Sequence, residues 1–147
     1  MKNRFFPVVL VALLTVACGS STPDRPAGVA KPDIAVQMQG PSIFFGSGYT
    51  APVALDIMVT NNASVPLRVR RVQIESPSMV EYTIRPFTRI YNEELGPGQS
   101  KTLSVVATAY TNISRLNPSE PLQLRAIVEF EGPNRTRFRE IIFQRAA

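Results

Sequence analysis

Beyond residue 33, apolar and polar side chains alternate with a period of two along most of the chain. Val53, Leu55, Ile57 and Val59 alternate with Ala54, Asp56, Met58 and Thr60, and the run stops at Asn61-Asn62-Ala63-Ser64, a turn composition. Successive side chains on a strand point to opposite faces, so this pattern predicts a strand with one buried face. The next strand starts after Pro66 with Leu67 and Val69 inward. The apolar parity then slips to Val72 and Ile74 across Arg70-Arg71, which predicts a β-bulge. Val80, Tyr82 and Ile84 form a further set ended by Pro86, and Leu95-Gly96-Pro97-Gly98 reads as a turn leading into Leu103, Val105, Ala107 and Ala109. After a polar loop through Asn117-Pro118, Leu122, Leu124, Ala126, Val128 and Phe130 mark a long strand. Gly132-Pro133-Asn134-Arg135 makes a hairpin into a last strand over about residues 136–144. A first strand at Ile34–Met38 and a short apolar piece, Ile43-Phe44-Phe45, precede these.

The expected fold class is therefore all-β: one antiparallel β-sandwich of seven to eight strands over residues 34–147. No window sustains a helical period over about ten residues, and without crossover helices a parallel sheet is excluded. The expected core includes Leu55, Ile57, Val69, Ile74, Val105, Leu124, Val128 and Phe130. The stretch VTNNASVPLRVRRVQIES, followed by LGPGQSKTLSVVATA, resembles the layout of immunoglobulin-like and fibronectin-type-III-like sandwiches of secreted bacterial proteins. That resemblance implies binding through end loops, a sheet edge or a sheet face. A fainter likeness, through Asn61-Asn62 and Pro66-Leu67, is to water-stress domains of the late-embryogenesis-abundant type. With no Trp and a single Cys, the chain lacks the disulfide-and-tryptophan pin of antibody domains.

The first residues follow a different pattern. Lys2 and Arg4 precede an uncharged run from Phe5 to Ala17 centred on Val8–Leu14, the n-region and h-region of an export signal. As a helix that run rises only about 20 Å, short of the roughly 30 Å hydrocarbon core of a bilayer. Leu14-Thr15-Val16-Ala17-Cys18-Gly19 resembles the lipobox of bacterial lipoproteins, with Thr15 where Leu is common. The resemblance implies that residues 1–17 are cleaved as a signal peptide, that Cys18 takes a diacylglyceryl group, and that its new amino group is acylated. Two or three acyl chains make such anchoring effectively permanent. Gly19, rather than Asp, favours the outer membrane in an organism with two membranes, facing the periplasm. Residues 18–33, rich in Ser, Gly and Pro, are expected to form a flexible tether reaching at most roughly 40 Å.

Composition narrows the chemistry further. There is no His, and the one Cys is committed to lipid, which removes His-based triads, thiol catalysis and the usual zinc sites. Loss of Lys2 and Arg4 with the signal lowers the net charge from +5 to +3. Glu93-Glu94 before a turn, and Glu129 with Glu131 on one strand face, are the remaining carboxylate pairs, read as a solvated loop and a solvated face rather than as hydrolytic or Ca²⁺ sites. Gly46-Ser47-Gly48 and Gly96-Pro97-Gly98 join strands and open no helix that could cradle phosphate. The sequons at Asn62, Asn112 and Asn134 are read as turn residues. No catalytic residue, metal or cofactor is expected, and no nucleic-acid partner.

One surface stands out. With Leu67, Val69, Leu124, Val128 and Phe138 inward, alternation places Arg68, Arg70, Arg125, Arg137 and Arg139 outward, on strands that lie side by side in immunoglobulin-like topology. Together they form a candidate surface for an anionic partner, since the guanidinium fork pairs bidentately with phosphate or carboxylate. Glu75, Glu129, Glu131 and Glu140 are the acids that could share and neutralise that face. The expected function is that of a non-enzymatic envelope lipoprotein held to the membrane through its lipid and acting as a binding or assembly accessory of an envelope complex, polymer or lipid. The alternative is a structural or stress-protective envelope protein with no discrete ligand.

Overall fold

The computed structural model describes residues 25–40, 43, 45, 49–77, 83–111 and 122–146. Cys18 and the whole expected signal lie outside the described residues, as do Phe44, Val80, Tyr82, Asn112 and Asn117-Pro118. Eight strands are described: β1 (Asp33–Met38), β2 (Thr50–Thr60), β3 (Leu67–Glu75), β4 (Thr83–Ile84), β5 (Phe87–Leu95), β6 (Ser100–Tyr110), β7 (Leu122–Glu131) and β8 (Arg137–Ala146). A single 3₁₀ turn at Pro133–Arg135 joins the last two.

The strands form two antiparallel four-stranded sheets, ordered β1-β2-β6-β4 and β5-β3-β7-β8. Their inner faces enclose the core that alternation predicts. Val53, Leu55, Ile57 and Val59 of β2 face Leu124, Val128, Phe130 and Phe138 of the second sheet within one apolar cluster. This is an all-β sandwich of two antiparallel sheets, and β3, β7 and β8 are neighbours in one of them. The bulge lies where the parity slips: register shifts between Val69 and Arg71 against both β5 and β7. Val69 and Val72 are both buried as a result, and Arg70 and Arg71 both reach the outer face.

β5 was not expected. The segment read as the approach to a turn is a nine-residue strand, so Glu93-Glu94 lie on a sheet and not in a loop. Its inward parity carries Arg89, Tyr91 and Glu93, while its apolar Ile90 points out and is 81% exposed. An edge strand need bury little, and this one shows no apolar alternation to read. The chain enters β5 by changing sheets. Arg85 N–H still bonds Thr108 C=O of β6 at 2.9 Å, and Pro86, with no N–H to offer, ends that pairing and starts the crossing.

Asn61 anchors the end of β2. Its side-chain amide donates to the carbonyls of Val65, Leu95 and Gly96 at 2.9, 3.0 and 3.1 Å, and its Oδ1 accepts from Ala63 N–H at 2.9 Å. Its backbone carbonyl accepts from Gly98 N–H at 2.8 Å, inside a turn closed by Gln99 N–H on Gly96 C=O. Gly98 sits at φ +71°, the left-handed conformation that the third position of a Pro-Gly type II turn demands. Gln144 ties the two sheets together on the opposite side. Its amide accepts from Val36 N–H at 2.9 Å and donates to Val36 C=O at 2.7 Å, occupying the free edge of β1 much as another strand would.

The packed part begins before residue 33. Val29 and Pro32 are buried, Asn62 donates to Lys31 C=O at 3.1 Å, and Arg25 pairs with Glu140 of β8 at 2.9 Å. Residues 25–32, expected within the tether on composition, lie against the sandwich. A chain starting at residue 34 should therefore be less stable than one starting at residue 25 by about 1–3 kcal/mol, the scale of burying one aliphatic side chain. Urea midpoints of the two proteins, both β-rich by circular dichroism, check this.

Candidate functional site

The outer face of β5-β3-β7-β8 carries all five arginines singled out from the sequence, together with Arg71. Cross-strand register sets them in rows. Arg68 stands opposite Glu94 on β5 and Glu131 on β7, and Glu131 stands opposite Arg137 on β8. One step along, Arg71 faces Glu129, which faces Arg139. Further on, Glu75 faces Arg125, which faces Phe143. In the first two rows the sign alternates, basic on β3, acidic on β7 and basic on β8, with Glu94 of β5 adding an acid to the first; the third row reverses it, acidic on β3 and basic on β7. Directly opposed unlike charges each contribute a few tenths of a kcal/mol to a sheet, and like charges would oppose pairing.

The contacts follow the rows. Arg68 meets Glu94 at 2.6 Å, which together with the Glu131 charge holds its guanidinium more firmly protonated than usual. Arg70 bonds Asn92 Oδ1 at 2.5 Å and lies 3.7 Å from Glu131. Arg71 meets Glu129 at 2.6 Å, and Arg125 pairs with Glu75. Arg137 stands 3.5 Å from Glu129 and 4.0 Å from Glu131, and Arg139 stands 3.7 Å from Glu129. The five arginines are therefore brought together on one face, but Arg68, Arg70 and Arg125 are engaged by neighbours. Glu140 does not share that face: its parity is that of buried Phe138, and it pairs with Arg25.

Cation surplus collects at the β8 edge. Glu129 is largely buried and takes its short contact from Arg71, so Arg137 and Arg139 share at longer range a carboxylate already engaged. A depression of about 300 Å³ opens there, lined by Arg71, Glu129, Arg137, Phe138 and Arg139. Arg145, further along β8, is exposed and has no acidic partner among the described residues. Sequence reasoning missed Arg71 and Arg145. The bulge points to Arg71, since a parity slip sends both residues at the slip outward; extending the last strand by two residues brings in Arg145.

The carboxylate pairs are occupied. Glu93 bonds Lys101 and Glu94 bonds Arg68, from opposite faces of β5, while Glu129 and Glu131 hold arginines. Among the described residues no group of three or more His, Cys, Asp or Glu stands close enough to hold a metal ion. No described helix is long and apolar enough to cross a membrane.

No family model matches the chain, and no curated protein matches it in sequence. Solved structures do resemble it. The structural-genomics target SoR45 superposes with a TM-score of 0.53 at 7% identity, over 80% of this chain and 85% of that one. A Bordetella pertussis protein assigned as ApaA gives 0.48 at 14% identity, over 79% and 92%. The copper-bound PCuAC domain from PmoF2 gives 0.37 at 18% identity, over 80% and 93%. The first likeness concerns the fold alone, and the other two are too loose to carry an argument.

Proposed function

We propose that this chain is a lipid-anchored protein of the bacterial envelope that works without catalysis, by presenting the β8 side of its sandwich to an anionic partner. The observation that carries the reading is the cation surplus at that edge: Arg137 and Arg139 share a carboxylate that Arg71 already engages, and Arg145 has no acidic partner among the described residues. Guanidinium donors left unsaturated at a surface are suited to phosphate or carboxylate groups. The lipobox-like run ending at Cys18 supplies the address, because a protein anchored there meets anionic headgroups and polymers at high local concentration. Membrane attachment raises the effective concentration of a tethered site without any new contact.

Cells expressing the wild type or Cys18→Ala, fed a clickable fatty-acid analogue and then crosslinked, test both halves of the reading. Label is expected on the wild type and absent from Cys18→Ala, since no other thiol exists to accept it. Label retained on the variant removes the lipoprotein assignment. A stoichiometric crosslinked protein identifies an assembly role; no crosslink to protein, lipid or cell wall leaves the structural, ligand-free role.

A further inference from the structure

Two features of β8 converge. The first is where the described chain ends. Arg25, the first described residue, is fixed to Glu140 in the middle of β8. Only residues 19–24 separate it from Cys18. Seven Cα-to-Cα steps cannot span more than about 25 Å, so Cys18 lies within that distance of Arg25, whose side chain reaches the β8 edge.

The second is what β8 presents to solvent. Its outward positions read Arg137, Arg139, Ile141, Phe143 and Arg145, with no acid among them. Phe143 is 68% exposed and Ile141 46%, and Ile127 of β7 stands beside Ile141 in register. The far edge of the same sheet is different: β5 turns Thr88, Ile90, Asn92 and Glu94 outward, without a cation. The sheet face therefore grades from a basic and aromatic edge at β8 to an uncharged and acidic edge at β5. Arginines around an exposed Phe and Ile suit the headgroup layer of a bilayer, where phosphates meet the cations and the apolar side chains enter the acyl boundary.

We infer that the outer side of β8 docks on the bilayer that holds the chain, with Arg137, Arg139 and Arg145 on lipid phosphates and Phe143 and Ile141 in the headgroup layer. This rests on the reading of Cys18 as a lipid anchor. The domain would then lie against its membrane in one orientation, with the β5 edge raised into the aqueous compartment. Arg68 and Arg125, already paired across strands, have no part in the contact.

The chain contains no Trp, so Phe143→Trp supplies a lone indole at the contact and Ile90→Trp one at the raised edge. Each full-length protein, purified from membranes, is reconstituted into phosphatidylcholine/phosphatidylglycerol vesicles whose acyl chains are brominated. Emission from Phe143→Trp should shift to the blue and be quenched severalfold, while Ile90→Trp stays near its value in unbrominated vesicles. Adding Arg139→Glu and Arg145→Glu to Phe143→Trp should lower the docked-to-undocked ratio at least about tenfold, since each basic residue at an anionic surface is worth roughly fivefold. Equal quenching at both positions, no quenching at Phe143→Trp, or indifference to the charge reversal would overturn the orientation. Fatty-acid labelling of the same preparations reads the anchor separately. Unlabelled protein that is still quenched sinks the lipoprotein reading and keeps the docking surface, whereas labelled protein without quenching does the reverse.

Discussion

Asn61→Ala should destabilise the domain by about 3–5 kcal/mol, a large share of the 5–15 kcal/mol that holds a typical domain together. The residue is almost fully buried, and its side chain serves the carbonyls of Val65, Leu95 and Gly96 and the N–H of Ala63. Truncation orphans the buried Leu95 carbonyl and Ala63 N–H and takes the donor from the half-buried Val65 and Gly96 carbonyls, and each buried group so orphaned costs about 1–3 kcal/mol. The three segments involved are the end of β2, the entry to β3 and the β5–β6 turn, so both sheets lose the same brace. Asn61→Asp separates hydrogen bonding from volume. The carboxylate keeps the acceptor for Ala63 but sets its other oxygen against three carbonyls, so at neutral pH the loss should be at least as large as for alanine. Burial among acceptors raises the folded-state pKa of the introduced acid, so stability is recovered below that pKa and lost again as pH rises through it. Chemical denaturation of the three proteins at neutral and acidic pH measures this; an Asn61→Ala midpoint equal to wild type would remove Asn61 from its role as a brace.

That brace also shows where sequence and structure part. Asn61-Asn62-Ala63-Ser64 is legible as a turn because its composition competes with strand pairing. That the first of the two asparagines is buried and joins three segments depends on β5, which the sequence conceals. Strands β2, β3, β6, β7 and β8 were legible because each buries one face against the other sheet, and burial imposes the period of two. The bulge at Arg70-Arg71 could be read for the same reason, since the inner face must resume after the extra residue. β5 buries only Leu95 fully, so nothing forces its residues to alternate. Missing β5 hid the partner of Arg68: Glu94, taken for a loop residue, stands opposite it in register. The adjacency of the arginines followed from topology, whereas their neutralisation by strand-to-strand alternation of sign needed the register of all four strands. The packing of residues 25–32 rests on Val29 and Pro32 within a stretch that otherwise has the composition of a linker, and two buried residues make no period.

Phe138→Ala and Phe143→Ala, five residues apart on one strand, should behave oppositely. Phe138 is fully buried and stacks on Phe130 with ring centroids 5.3 Å apart and an interplanar angle of 20°. Its truncation removes a ring from the middle of the core, where the rest of the apolar cluster, Leu67 and Val128 among it, sits on strands held by sheet pairing and cannot collapse far. Such cavities cost about 3–5 kcal/mol for a phenylalanine, and the stacked pair loses its ring contact as well. For a domain of this size the melting temperature should fall by more than about 10 °C. Phe143, with the opposite parity, gives up nothing to the core when truncated, so its ΔΔG should stay within about 0.5 kcal/mol of zero. The paired measurement separates the two faces of β8 with one chemical change. A large loss at Phe143 would place that ring inside the fold and leave nothing apolar there for a bilayer to receive. A small loss at Phe138 would mean that the register of β8 against β7 is off by one residue, which would exchange its buried and exposed faces along the whole strand.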